Sequence, residues 1–99
     1  MKKIVRKIMF GVEVMKWMRK TGLSFKWRYI HEADDLFAHW MVFDKADNKW
    51  YELYATEYYS NAINENIIAI ELVEVEWVDK KSFVKKGFPL FKEAIPFYC

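Results

Sequence analysis

The chain has 99 residues, of which 54% are apolar, 19% aromatic and 30% charged, with a formal net charge of +2. That length holds one compact domain, residues 1–99, and not two. So high an aromatic content excludes a disordered solvating chain, and a lone cysteine, Cys99, excludes an intramolecular disulfide and a multi-cysteine zinc site.

The opening MKKIVRKIMFGVEVM has a basic start and an apolar run, but Arg6, Lys7 and Glu13 break that run and no small-residue cleavage site follows. No stretch reaches the roughly eighteen apolar residues of a membrane span. The expected address is therefore cytoplasmic, without secretion. Charge is distributed in blocks. Residues 1–28 carry nine Lys or Arg against Glu13 (net +8), residues 29–76 carry two against eleven Asp or Glu (net −9), and residues 77–99 carry five against two (net +3). Such a basic–acidic–basic pattern is a statement about surface and partners.

The first element is read as a helix over residues 3–19. Ile4, Ile8, Val12, Met15 and Met18 form one apolar stripe opposite Lys2, Arg6, Glu13, Lys16 and Lys20, although Ile8, Phe10, Val12 and Val14 also satisfy a strand period. Thr21-Gly22 supplies the C-cap, and Lys16, Arg19 and Lys20 fall in the last turn, where the helix dipole favours cations. Residues 23–30 alternate, with Leu23, Phe25, Trp27 and Tyr29 on one face and Ser24, Lys26 and Arg28 on the other. Residues 31–35 read as a polar turn. Strands follow over 37–43 and 50–55, joined by the Asp/Asn-rich turn 44–49.

Residues 56–66 are polar and expected to be irregular. Residues 67–78 form a long strand with Val73, Val75 and Trp77 on one side and Glu74 and Glu76 on the other. Residues 79–86 suggest a short helix between Asp79 and Gly87, and 88–99, with Pro89 and Pro96, an irregular apolar tail. Early hairpins without β-α-β alternation predict an α+β fold: a mainly antiparallel, strongly bent, barrel-like sheet of four to five strands, with an N-terminal helix and a short C-terminal helix.

Catalytic motifs are missing from the chain. His31, Glu32, Asp34, Asp35 and His39 cluster, yet a zinc-protease helix needs His at i and i+4, and position 35 is Asp. The acidic pair Asp34-Asp35 reads as a solvated turn, and Glu71, Glu74 and Glu76 as the wet or edge-protecting side of a strand. Ser24, Ser60 and Ser82 lack a nucleophile elbow, and three scattered glycines cannot form a phosphate loop. The expectation is no enzymatic role, no cofactor, no metal and no small-molecule substrate.

Phe25-Lys-Trp-Arg-Tyr29 interleaves rings with cations, the currency of nucleic-acid binding. Within one strand, however, rings and cations point to opposite faces, and the ring side is the better core. If the two chain ends pack together, Lys16, Arg19, Lys20, Lys26, Arg28, Lys80, Lys81, Lys85 and Lys86 converge on one basic face suited to DNA or RNA phosphates. The alternative is self-association as a homo-oligomer, basic patch against acidic patch. A third reading lays the first helix on an anionic membrane surface, with Phe10 and Trp17 near its polar boundary.

The chain has no Gln, two Thr and three Ser, with abundant Lys, Ile, Trp and Tyr. In composition alone it resembles small orphan proteins of filamentous viruses that infect hyperthermophilic archaea; a small protein of an AT-rich bacteriophage is the competing match. The first resemblance implies a stable, often dimeric protein of the host cytoplasm, and some members of that group bind DNA. It carries no motif and assigns no residue. It does predict an unfolding midpoint above ~80 °C, beyond the ~45–65 °C of ordinary domains; calorimetry giving a midpoint near ~55 °C would contradict it.

Overall fold

The computed structural model describes residues 3–31, 36–79 and 82–98. Its helix α1 spans Lys3–Thr21. The Thr21 hydroxyl donates to the carbonyls of Trp17 (2.9 Å) and Met18 (3.2 Å), and Gly22 follows at φ 81°, the left-handed position that ends a helix without a Cβ clash. The residues that α1 buries are Phe10, Val14, Trp17 and Met18, whereas Ile4, Ile8 and Val12 face solvent at 63%, 60% and 46% exposure. The expected stripe is thus rotated. Phe10 and Trp17, expected near the polar boundary of a helix lying on a membrane, belong instead to the core, together with Val14 and Met18.

Six strands follow: β1 Leu23–His31, β2 Phe37–Asp44, β3 Lys49–Ser60, β4 Glu65–Asp79, β5 Ser82–Lys85 and β6 Leu90–Pro96. They form one antiparallel sheet in the order β1-β2-β3-β4-β5, with β6 also paired to β4. The sheet is neither closed nor strongly curled, so the barrel-like expectation is corrected; β1 at one margin and β5 with β6 at the other remain separate edges. Nor is a C-terminal helix seen. Ser82–Lys85 pairs instead with residues 75–79 of β4. Two turns of helix are marginal on their own, while the strand gains ladder hydrogen bonds and seats Phe83 against Trp77.

The apolar tail is strand as well. β6 pairs with residues 67–72 of β4, so β5 and β6 lie end to end along one edge. The Lys86 amide donates to the Glu74 carbonyl at 2.8 Å between them. The interruption falls at Gly87 (φ 121°) and Pro89, and Pro96 closes β6. Proline is tolerated at such an edge because no neighbouring strand needs its missing amide hydrogen.

Residues 56–66 are the second surprise, since β3 runs on to Ser60 and β4 begins at Glu65. Both long hairpins turn through four residues, 45–48 and 61–64, and each turn ends on an asparagine with positive φ, Asn48 at 56° and Asn64 at 54°. Asn accepts that conformation more readily than other non-glycine residues. In the first turn the Asp44 carboxylate also accepts from the Ala46 amide at 2.9 Å.

The core lies between α1 and one face of the sheet: Trp40, Val42, Leu53, Ala55, Ile68 and Ile70 meet Phe10, Val14, Trp17 and Met18. Phe97, after β6, closes it with an edge-on contact to Phe10 at 6.0 Å. Glu57, buried on the same side, pairs with the half-buried Arg6 of α1, whose guanidinium also lies 5.8 Å from the Phe97 ring centre. Within the described residues no helix is long and apolar enough to cross a membrane.

The rotated helix gives a direct test. Phe10→Ala is expected to cost about 3–5 kcal/mol by leaving a cavity, and Ile8→Ala less than about 0.5 kcal/mol because its site is exposed. Urea unfolding of both variants checks this, and equal losses would contradict the observed helix face.

Candidate functional site

Alternation along a strand sends neighbouring side chains to opposite faces. One row meets α1; the other row faces away from it, and antiparallel register aligns that second row across the strands. Phe43 stands beside Trp50, Trp50 beside Val75, and Val75 beside Lys85. Met41, Glu52 and Val73 form the next line, and His39, Tyr54, Glu71 and Phe91 the one after. Among the described residues no helix covers this face. Met41, Val73 and Val75 on it are nonetheless almost wholly buried.

Those rings are continuous. Phe43 and Trp50 lie 5.0 Å apart, Trp50 and Trp77 meet edge-on at 5.4 Å, and Trp77 touches Phe83 at 3.8 Å between ring centres. His39 stacks on Tyr54 at 4.7 Å and 10°, and Phe37 lies 6.4 Å from Tyr54. Two cations hang over the rings. Lys26 Nζ is 6.0 Å from the centres of both Phe43 and Trp50, and Lys85 Nζ is 5.2 Å from that of Tyr54, within the range of cation–π attraction.

β1 contributes through a bulge. Phe25 pairs with Val42 and Trp27 with Met41, so Lys26 is the extra residue. The strict alternation expected over residues 23–30 is thus interrupted in the backbone register at Lys26, and the expected shared face of Trp27 and Tyr29 lies outside the described side chains. Rings and cation meet on one face after all, but from different strands.

At the centre of the face sits Glu52, its side chain 11% exposed. The Tyr54 hydroxyl donates to its Oε2 at 2.5 Å; His39 Nε2 stands 3.4 Å and Lys85 Nζ 3.6 Å from the same oxygen. Burial, followed by the hydrogen bond to Glu52, raises the Tyr54 pKa, and the Tyr54 hydroxyl holds the Lys85 ammonium above its ordinary value.

Of the nine cations expected to converge, the six whose side chains are described, Lys16, Arg19, Lys20, Lys26, Lys85 and Lys86, do not gather on one face. Lys26 and Lys85 occupy the open face, whereas Lys16, Arg19 and Lys20 are exposed on α1, on the other side of the sheet. Lys16 pairs with Glu13 at 3.3 Å; with Arg19 it borders a groove of about 500 Å³ along α1 that includes Ile8, Gly11 and Met15. Lys86 pairs with Glu74 at 2.8 Å, which depresses the Glu74 pKa. The backbone of Arg28 lies opposite Trp40. Lys80, Lys81, Cys99 and the acidic stretch Glu32, Asp34 and Asp35 lie outside the described residues. Among the described residues no group of three or more His, Cys, Asp or Glu side chains is arranged to hold a metal.

Sequence reasoning missed Phe43, Trp50, Tyr54, Trp77, Phe83 and Glu52 as a surface. The available signal was the near-continuous apolar run Phe37–Phe43, which puts apolar side chains on both faces of β2.

Tyr54 allows a pH test. Its folded-state pKa is raised, so the neutral phenol stabilises the fold fully below the unfolded value of about 10, and that contribution declines as pH rises beyond it. Alkaline titration followed by phenolate absorbance should lose one late-ionising tyrosine in Tyr54→Phe; an unchanged late phase would contradict the assignment. The chain matches no family model, no curated protein and no solved structure, so its own side chains are the guide to what this face does.

Proposed function

We propose that the protein is a non-enzymatic nucleic-acid-binding module whose open sheet face takes a single strand of DNA or RNA. The observation that carries this reading is the unroofed run Phe43, Trp50, Trp77 and Phe83 with the Lys26 ammonium suspended over its first two rings. Bases present a π-face whatever their identity, and stacking on an aromatic side chain contributes about 1–3 kcal/mol per base. Lysines beside the rings meet the phosphates that link successive bases. A duplex hides its base faces, so rings presented at several angles for stacking suit single strands.

Self-association as a homodimer is the second reading, favoured by Phe88, Leu90 and Phe91, exposed at 86%, 63% and 62% just before and at the start of β6. Contiguous exposed apolar surface marks interfaces.

Tryptophan quenching by a short single-stranded oligonucleotide distinguishes the two. Trp50→Ala is expected to weaken binding by roughly 5–150-fold, the equivalent of one lost stack. Lys26→Glu with Lys85→Glu should flatten a log–log salt slope of about −1.4, two phosphates at about −0.7 each, while charge reversal of Lys16, Arg19 and Lys20 leaves it unchanged. No quenching at low salt, with a dimer by sedimentation, would replace the first reading by the second.

A further inference from the structure

Glu52 is anomalous on an aromatic platform. Its row neighbours Met41 and Val73 are apolar and buried, and a carboxylate in their place is desolvated unless it is hydrogen-bonded. The partners it has are one-sided. Tyr54, His39 and Lys85 all approach Oε2, and among the described residues nothing donates to Oε1. Oε1 is thus an acceptor with no donor among the described residues, on a side chain that follows Trp50 and precedes Tyr54 on the same face of β3.

We infer that Glu52 Oε1 selects bases carrying an exocyclic amino group, cytosine and adenine, over thymine and uracil. The inference rests on the single-strand reading of the same face. A base stacked beside Glu52 turns its hydrogen-bonding edge toward Oε1. Cytosine N4 or adenine N6 donates one hydrogen to one acceptor, the pairing a carboxylate makes with an amino group at a base edge. Thymine and uracil offer only N3–H there, flanked on both sides by carbonyl oxygens. Those carbonyls are repelled by the carboxylate, and where water is excluded an unpaired acceptor on either side is costly. Guanine, whose neighbouring N1–H and N2–H call for two open oxygens, is matched less well because Oε2 is already engaged.

The test compares equal-length oligo(dC) and oligo(dT) at mildly alkaline pH on the full chain. Wild type should bind oligo(dC) roughly 10-fold or more tighter, and oligo(dC) bearing N4,N4-dimethylcytosine, which stacks but cannot donate, should fall to the oligo(dT) level. Glu52→Gln, which offers both a donor and an acceptor, should lose most of the discrimination while still binding. Equal binding of oligo(dC) and oligo(dT) overturns the selectivity and leaves the single-strand reading intact. A dC preference that survives both dimethylation and Glu52→Gln overturns the role of Glu52. Failure of the wild type to bind either oligonucleotide overturns the underlying reading and this inference together.

Discussion

One helix serves six strands, and that constraint organises the molecule. α1, 19 residues long, spans about 28 Å at ~1.5 Å per residue and lies on one face of the sheet only. Trp40 apart, the helix-side row can therefore be aliphatic, because Phe10, Trp17 and Trp40 together supply the bulk. The opposite row has no such roof. It must exclude water from Met41, Val73 and Val75 with its own side chains, and flat rings do that over the largest area per residue. The aromatic richness of the chain is thus divided between two tasks: rings from the helix, with Trp40 and Phe97, fill one side, and other rings from the strands lie on the opposite side.

The helix is fixed on its side by contacts that are few but remote in sequence. Arg6 and Glu57 join the first turns of α1 to the far half of β3, and Phe97 brings the end of the chain against both Arg6 and Phe10. A buried ion pair of this kind contributes little net stability, since desolvation offsets most of the attraction, yet leaving Glu57 without its partner would be expensive. Its effect is on position: it favours the helix rotation that places Phe10 inward over the one that would place Ile8 there. Closing the chain on itself in this way also explains why the last segment is a strand and not a loose tail.

Much of the fold was legible where local chemistry is decisive. Thr21-Gly22 marks the end of α1, Asp44 begins a turn, and alternation identifies β1 and the central part of β4. The errors fall where two local readings compete and only tertiary contact decides. The helix has apolar residues around most of its circumference, so hydropathy offers both an Ile4/Ile8/Val12 face and a Phe10/Val14/Trp17 face; the shape of the sheet selects the second. Asp79 and Gly87 look like helix caps, but a long β4 with a vacant edge recruits the residues between them. Polar residues 56–66 resemble a loop because this hairpin extends toward solvent, with Tyr58, Tyr59 and Ile63 exposed. The open face was hidden for a related reason: alternation reports that a strand has two faces, not which of them acquires a cover.

Glu52 separates a shielding role for the rings from a binding role. Were the open face only a self-made lid, an aliphatic residue at position 52 would continue the Met41–Val73 line and avoid desolvating a carboxylate. Instead the site assembles a tyrosine, a histidine and a lysine around one oxygen, and leaves the other without a donor among the described residues. Local rules of packing are broken there, and sites where a sequence departs from its own pattern are where function is expected. Lys26 adds the same signal from an independent direction. A bulge in β1 makes it an additional residue, and its ammonium lies over rings from β2 and β3. Cation, rings and an open acceptor thus occur together on the face that the fold leaves uncovered, while the helix side, which carries Lys16, Arg19 and Lys20, has the greater charge but no adjoining ring platform. Distribution of charge along the sequence pointed to the latter; the geometry of pairing favours the former.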